Sequence, residues 1–556
     1  MRYTLIVILI LIGTSSISQV TFISIPLDKQ LIGRDPITNL GNIAIDGEVD
    51  NSNISYDSIL IEVFRNNILH QKTSQFLSYS SHIASFNFNI SIVAELVNYS
   101  LKIYGKSGSI ATLQKQVDSI VAGDAYIIQG QSNAEARMLS GSANSNQNEF
   151  IRVYANGTHF KDTLLNNDNW YIGEGDGNRN TNGNTGQWGL KLARMLIDSL
   201  NIPIAIFNSG HGGKDIAFFQ APSDYQTSQE SNYGRQYYRL NKTGLKDFVR
   251  AVFWSQGTWD GENYSNTSTL EYKNYFLSLK SDWLRDYPSL EKYYIFQTKN
   301  GCGGFLHKIK EAQRQLAFEN QDISIMSTAA LIHYEDDCHF PFINGYESFA
   351  KRIFPLVLRN FYGITTSNEI DPPMIVSANL INDTTLIVET DADELSIQTI
   401  AEDFELTNVE SSTITNIEAS SNKIIFTLSN NPGNGATISY LAQDTTLGNF
   451  ITNQLGLELL CFYQYPIVDN SGGADSVLKD VIKVYPNPTD GLLHIELQVN
   501  ISIATITLID FSGREVLARR FNTNKVEISL PETNGIYLLI VESENGSIYM
   551  KRIVKQ

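Results

Sequence analysis

At 556 residues the chain is too long for one compact core and, at roughly 150 residues per domain, divides into three or four units. Hydrophobic residues at 42% suffice to fill cores, which excludes a wholly disordered chain, and charged residues at only 18% leave Asn, Ser and Thr to supply the polarity. A net charge of −18 with no basic run argues against nucleic acid as a partner, and three cysteines are too few for a disulfide framework.

Arg2, an apolar run over 5–12 and the small-x-small site Ser16-Ile17-Ser18 follow the order of a secretory signal peptide, expected to span 1–18. That run is far short of the roughly 20 residues needed to cross a bilayer, and no membrane span is expected later in the chain. Residues 19–120 read as an antiparallel β-sandwich, with period-two alternation from Phe86 to Ile90 and closely spaced turn signals.

The rhythm then changes. Strands are expected at 125–129, 204–208, 250–255, 293–298 and 323–327, with helices at 188–200, 272–284, 306–318 and 345–358. Strands alternating with helices over 121–365 predict a parallel sheet covered on both faces, with chemistry at the carboxyl ends of its strands. Asp371-Pro372-Pro373 breaks the pattern, and 370–467 returns to strands as a second sandwich. A Ser- and Gly-containing linker is expected over 468–480, and a third β unit over 481–556.

Four strand ends carry candidate chemistry. The first runs into Gly130-Gln131-Ser132-Asn133, where a serine ahead of a helix is either a nucleophile or a plain N-cap. The second ends in Gly210-His211-Gly212-Gly213, whose glycines let backbone N–H groups of Gly212 and Gly213 approach a developing oxyanion. After the third comes Gln256, a side-chain donor for the same purpose alongside the Ser132 N–H. The fifth is followed by Asp336-Asp337-Cys338-His339, in which Asp336 can orient His339 as a general base. His333, Glu335, Asp337 and His339 offer a rival metal set, but the helical zinc spacing is absent and no metal is expected. One shared edge explains the placement better than four accidents, and predicts acyl transfer to water through Ser132, His339 and Asp336.

Cys302 and Cys338 are either two free thiols or a bridge fixing the base loop; an exported chain favours the bridge. The insertion 140–186 is rich in Asn and Gly, and its Trp170 is expected to stack on substrate, with Asn133 a second substrate contact.

Together, the Gly-Gln-Ser-Asn start, the Gly212-Gly213 turn, Gln256-Gly257 and Asp336-x-x-His339 resemble the SGNH-hydrolase superfamily, in the branch of sialate O-acetylesterases and carbohydrate acetylesterases. The resemblance covers about 123–361 and implies a three-layer α/β/α domain with a parallel sheet, here flanked by β-sandwich domains. It also implies a cofactor-free esterase removing acetyl groups from O-acetylated glycans or sialic acid. The branch commonly has Glu after Gln-Gly, where this chain has Thr258; that departure puts weight on Asp336, with Glu262 a weak substitute.

Val484-Tyr485-Pro486-Asn487-Pro488, Gly491, Asp510-x-x-Gly513-Arg514, Gly535-Ile536-Tyr537 and Lys551-Arg552-Ile553 resemble the sorting domain of type IX secretion substrates. This implies passage through the periplasm to the outside or the cell surface. The expected function is an exported serine acetylesterase. A glycan-binding surface protein with impaired catalysis, and a metal-dependent hydrolase, are the rivals.

Overall fold

The computed structural model describes residues 20–556 apart from 53–54, 303, 368, 398–402, 410, 442–449, 471–481, 498–503, 511–513, 522, 524 and 544–547. The expected signal peptide and most of the expected linker lie outside the described residues.

The chain is multidomain and built on mixed sheets. Its central sheet contains β1 (Ile110–Gly130), β2 (Ile151–Tyr154), β3 (Trp170–Ile172), β4 (Ile204–Asn208), β5 (Val249–Ser255), β6 (Lys292–Phe296) and β7 (Ile323–Met326). Their order is β3-β2-β4-β1-β5-β6-β7. All neighbours pair parallel except the edge strand β3, which is antiparallel to β2. After β1 the chain first builds outward on one side and then crosses to the other. Strand order therefore reverses about β1, and a crevice opens at its carboxyl end.

The alternation inside β1 shows how the sheet is clothed. Ala125 and Ile127 enter one core with residues of α3 (Asn232–Lys242), α4 (Thr269–Asp286) and α5 (His307–Glu319). Tyr126 and Ile128 enter the other with α2 (Gln187–Leu200) and α6 (Glu347–Tyr362). Trp188 of α2 and Trp283 of α4 are both fully buried, each worth about 1.5–3 kcal/mol of apolar burial. A capping box starts α4: Ser268 accepts from the Glu271 N–H, and the Glu271 carboxylate accepts from the Ser268 N–H.

β1 also runs through the expected 120/121 boundary without a break. Its first half pairs antiparallel with Tyr99–Ser107 of the N-terminal unit, whose own core holds Ile43, Phe86 and Ile103. At the amino end of the parallel sheet, buried Arg34 makes a two-pronged ion pair with Asp124 at 2.8 and 2.9 Å, and the Tyr362 hydroxyl donates to the same carboxylate. The insertion 140–186 is ordered: it supplies β2 and β3, the edge of the sheet, instead of a loop over the cleft.

Beyond α6, strands from Ile375 to Asp469 form two sheets about a core containing Ile375, Phe426 and Phe462. This unit is bolted to the central one. Arg352 of α6 grips Glu458 with both terminal nitrogens at 2.6 Å, and the Gln297 amide, just past β6, exchanges two hydrogen bonds with the Cys461 backbone. The C-terminal unit has a three-stranded and a four-stranded sheet. No described helix is long and apolar enough to cross a membrane.

Candidate active site

β1 ends at Gly130, whose φ is +131°; a side chain there would put Cβ 2.2 Å from the Ser255 carbonyl oxygen, so only glycine lets β1 pass β5. Gln131 caps the next turn, α1 (Ser132–Glu135), and its side-chain oxygen accepts from the backbone N–H groups of Gly257 and Trp259 at 3.0 and 3.4 Å. Ser132 is the first residue of α1, so its N–H is among those a helix start leaves without an intrahelical acceptor. The loop after β4 lies directly against it. A Cβ on Gly212 would sit 3.3 Å from that of Ser132, and one on Gly210 would collide with the Glu135 nitrogen.

The loop after β7 carries the expected acid and base. His339 Nδ1 lies 2.5 Å from Asp336 Oδ2, while Asp336 Oδ1 accepts from the backbone N–H groups of Cys338 and His339. Partial burial pulls the Asp336 carboxyl upward, but the His339 ring and these N–H donors outweigh it and hold it below the usual carboxylate range. Cys338 is disulfide-bonded to Cys302 with the Cα atoms 4.5 Å apart, so the base loop is pinned to the loop after β6. It is also tied to the serine turn: Asn133 Nδ2 donates to the Cys338 carbonyl at 3.2 Å.

Residues 122–353 match the family model for carbohydrate esterase, sialic acid-specific acetylesterase. The chain carries a sialate-acetylesterase-type carbohydrate esterase domain. Residues 483–556 match the secretion system C-terminal sorting domain, which marks the chain as a secreted or cell-surface protein handled by type IX secretion. A carbohydrate acetylesterase from Xanthomonas citri is 15% identical and aligns over 80% of this chain and 99% of its own with a TM-score of 0.55, a likeness of fold. A protein of Arabidopsis thaliana, 19% identical over 43% of this chain and 99% of its own, reaches a TM-score of only 0.34. No curated protein matches the chain.

Within the esterase domain, several expected contacts take other parts. Asn133 acts as a strap: besides holding Cys338, its oxygen accepts from the buried Tyr346 hydroxyl at 2.8 Å. Gln256 has no free amide hydrogen for an oxyanion, because Nε2 donates to the Lys214 carbonyl and to Asp260 Oδ2 while its oxygen accepts from Tyr272. Of the two glycines, Gly212 abuts Ser132, whereas Gly213 has open space about it and supplies a left-handed turn at φ +69°. Trp170 does not reach a cleft; it is 3% exposed and packs edge-on against Tyr154 and Phe207. Glu262 is exposed and lies 3.4 Å from Lys308. The rival metal set splits into pairs, His339 with Asp336 and His333 with Asp337 at 3.2 Å. Among the described residues no three His, Cys, Asp or Glu side chains converge.

The esterase domain also holds groups that motif reading passed over. Asp260 is buried, accepting from Gln256, Thr267 and the Ile216 N–H, and burial pushes its carboxyl up to about 6. Glu135 of α1 pairs with Arg179 at 2.7 Å, anchoring the insertion to the serine turn. His211 is driven down to about 3 by burial and by the nearby cations Arg179, Lys214 and Arg235, and is therefore neutral. Only the acidic residue four places after Gln256 offered a sequence signal, since the insertion's partners are remote in the chain.

Proposed function

We propose that the chain is an exported serine esterase that removes O-acetyl groups from carbohydrates or sialic acids through a covalent acyl-enzyme. The esterase domain is read as an SGNH-type three-layer α/β/α fold, supported by helices entering the cores on the two faces of a parallel sheet. Ser132 Oγ attacks the acetyl carbonyl carbon as His339 Nε2 takes its proton, with Asp336 at Nδ1 fixing the tautomer and balancing the imidazolium. The Ser132 and Gly212 N–H groups meet the oxyanion. Its collapse breaks the ester bond, and His339 returns the proton to the departing sugar oxygen. Water then attacks the acetyl-serine with His339 again as base, releasing acetate.

The observation carrying this reading is the 2.5 Å His339–Asp336 pair on a loop held by the residue that follows Ser132. The matched carbohydrate esterase family and the likeness to the Xanthomonas citri carbohydrate acetylesterase support a sugar-borne acetyl group. The purified chain is expected to hydrolyse p-nitrophenyl acetate and to release acetate from acetylated sugars. Ser132→Ala is expected to lower kcat by about 10⁴-fold or more. Equal activity in the variant overturns the nucleophile assignment. A second reading, glycan binding with impaired turnover, draws on Thr258 and on the engaged Gln256 amide. Binding of acetylated sugars without acetate release at any pH would select it.

A further inference from the structure

The expected sugar-stacking residue, Trp170, is core, yet an aromatic surface does border the serine turn. Trp259 and Tyr264 stack with ring centroids 4.1 Å apart and planes at 17°, and they remain 38% and 37% exposed. Packed on each other and part-exposed, the two rings present a flat apolar face at the surface.

Backbone bonds fix the pair in place. The Trp259 N–H reaches Gln131, beside Ser132; the Ser265 N–H returns to the Trp259 carbonyl at 3.3 Å; and the Thr267 N–H to that of Asp260 at 3.0 Å. The Tyr264 hydroxyl donates to the Cys302 carbonyl at 2.5 Å, and the Ser265 hydroxyl to Asp215 at 3.3 Å. The platform therefore bridges the loops after β4, β5 and β6, on the rim of the candidate site. Exposed Glu262, Asn263, Ser265 and Asn266 border it. Flat aromatic faces ringed by short polar side chains suit a pyranose, whose C–H face stacks while its hydroxyls hydrogen-bond.

We propose that Trp259 and Tyr264 form a subsite for a sugar unit neighbouring the acetylated one, so that the substrate is an oligosaccharide or polysaccharide chain and not a free monosaccharide. This deepens the esterase reading and rests on it for the acetyl group. The binding itself is testable without turnover.

The test uses the full chain carrying Ser132→Ala, titrated calorimetrically with xylohexaose, cellohexaose and mannohexaose and with the matching monosaccharides. At least one hexasaccharide is expected to bind about tenfold tighter than its monosaccharide, and Trp259→Ala and Tyr264→Ala are each expected to weaken it about tenfold. Trp259→Tyr, which keeps a stacking face, is expected to stay close to the parent. Failure of all three hexasaccharides to bind, or an affinity indifferent to both alanine variants, overturns the subsite. Loss in Trp259→Ala alone, with a lowered melting temperature and Tyr264→Ala unaffected, overturns it as well. Hydrolysis of p-nitrophenyl acetate by the chain with Ser132 intact reads the esterase assignment separately.

Discussion

The side chain of Asn133, the residue after the candidate nucleophile, donates to the carbonyl of Cys338, the residue before the candidate base, at 3.2 Å. Two loops more than 200 positions apart in sequence are thereby held together beside the candidate nucleophile and base. The Tyr346 hydroxyl holds the other end of the same amide, so its orientation is fixed from both sides. Asn133→Ala removes both bonds and leaves a buried hydroxyl without its acceptor. We expect a loss of about 1–2 kcal/mol in stability. Because the strap acts on the relative position of Ser132 and His339, kcat is expected to fall about tenfold while KM changes little. Steady-state kinetics with a soluble acetyl ester check this; a change confined to KM would make Asn133 a substrate contact after all.

The Cys302–Cys338 bridge adds a covalent hold on the same loop across a sequence separation of 36 residues. Closing a loop of that length in the unfolded chain contributes up to about 4 kcal/mol in the chain-entropy model. Replacing both cysteines by serine is expected to lower the melting temperature of the esterase domain and to reduce kcat, since His339 follows Cys338 directly. Reductant is expected to reproduce the kinetic effect in the parent and to do nothing further to the double variant. A reductant effect of equal size in both would place its cause elsewhere.

Much of this was legible in the sequence because local pattern and global fold agree. Four of the five expected strands and the four expected helices form near their predicted limits, since apolar runs such as Ile204–Phe207 lie buried on both faces of the sheet, whereas the strand expected from Ala125 begins at Ile110. What escaped was set by partners far along the chain. α3 has few aliphatic residues, and its buried face includes, besides Tyr233 and Leu240, polar groups such as Gln236 and the guanidinium of Arg239, which donates to the carbonyls of Tyr154 and Asn208. β2 and β3 are short and sit in an Asn- and Gly-rich stretch, so their pairing with β4 and with each other, and not propensity, makes them strands. At the site, residue type located Asp336 and His339 because their contact spans three positions. The engagement of the Gln256 and Asn133 amides could not be read in the same way, because their partners are groups that no local pattern reveals.

Trp170 illustrates the same point in a testable form. Its ring is surrounded by Tyr154 and Phe207 beneath the edge of the sheet. Truncation leaves a cavity in a core that is otherwise filled, and Trp170→Ala is expected to cost about 3–5 kcal/mol in stability. Trp170→Phe is expected to recover most of it. Denaturant titration separates this from a binding role, which would leave stability in place and move KM.

Asp260 gives the esterase domain a pH dependence whose sign can be worked out. Burial raises its folded-state pKa to about 6, above the ordinary carboxylate value. Between about pH 4 and pH 6 the folded chain therefore holds a proton that the unfolded chain has released, and stability falls as pH rises through that window. Below it both states are protonated; above it both are ionised and the slope vanishes. A displacement of about two units corresponds to a contribution of order 3 kcal/mol across the window. Asp260→Asn cannot ionise, yet its side-chain oxygen still accepts from the Ile216 N–H or the Thr267 hydroxyl. The difference in unfolding free energy, parent minus variant, is therefore expected to decline from pH 4.5 to pH 6.5 and then level off. The contributions of groups not coupled to Asp260 cancel in that difference. Urea titrations of the two proteins at matched pH values measure it directly, and a difference independent of pH would show that the Asp260 carboxyl ionises in the folded chain as it does in water.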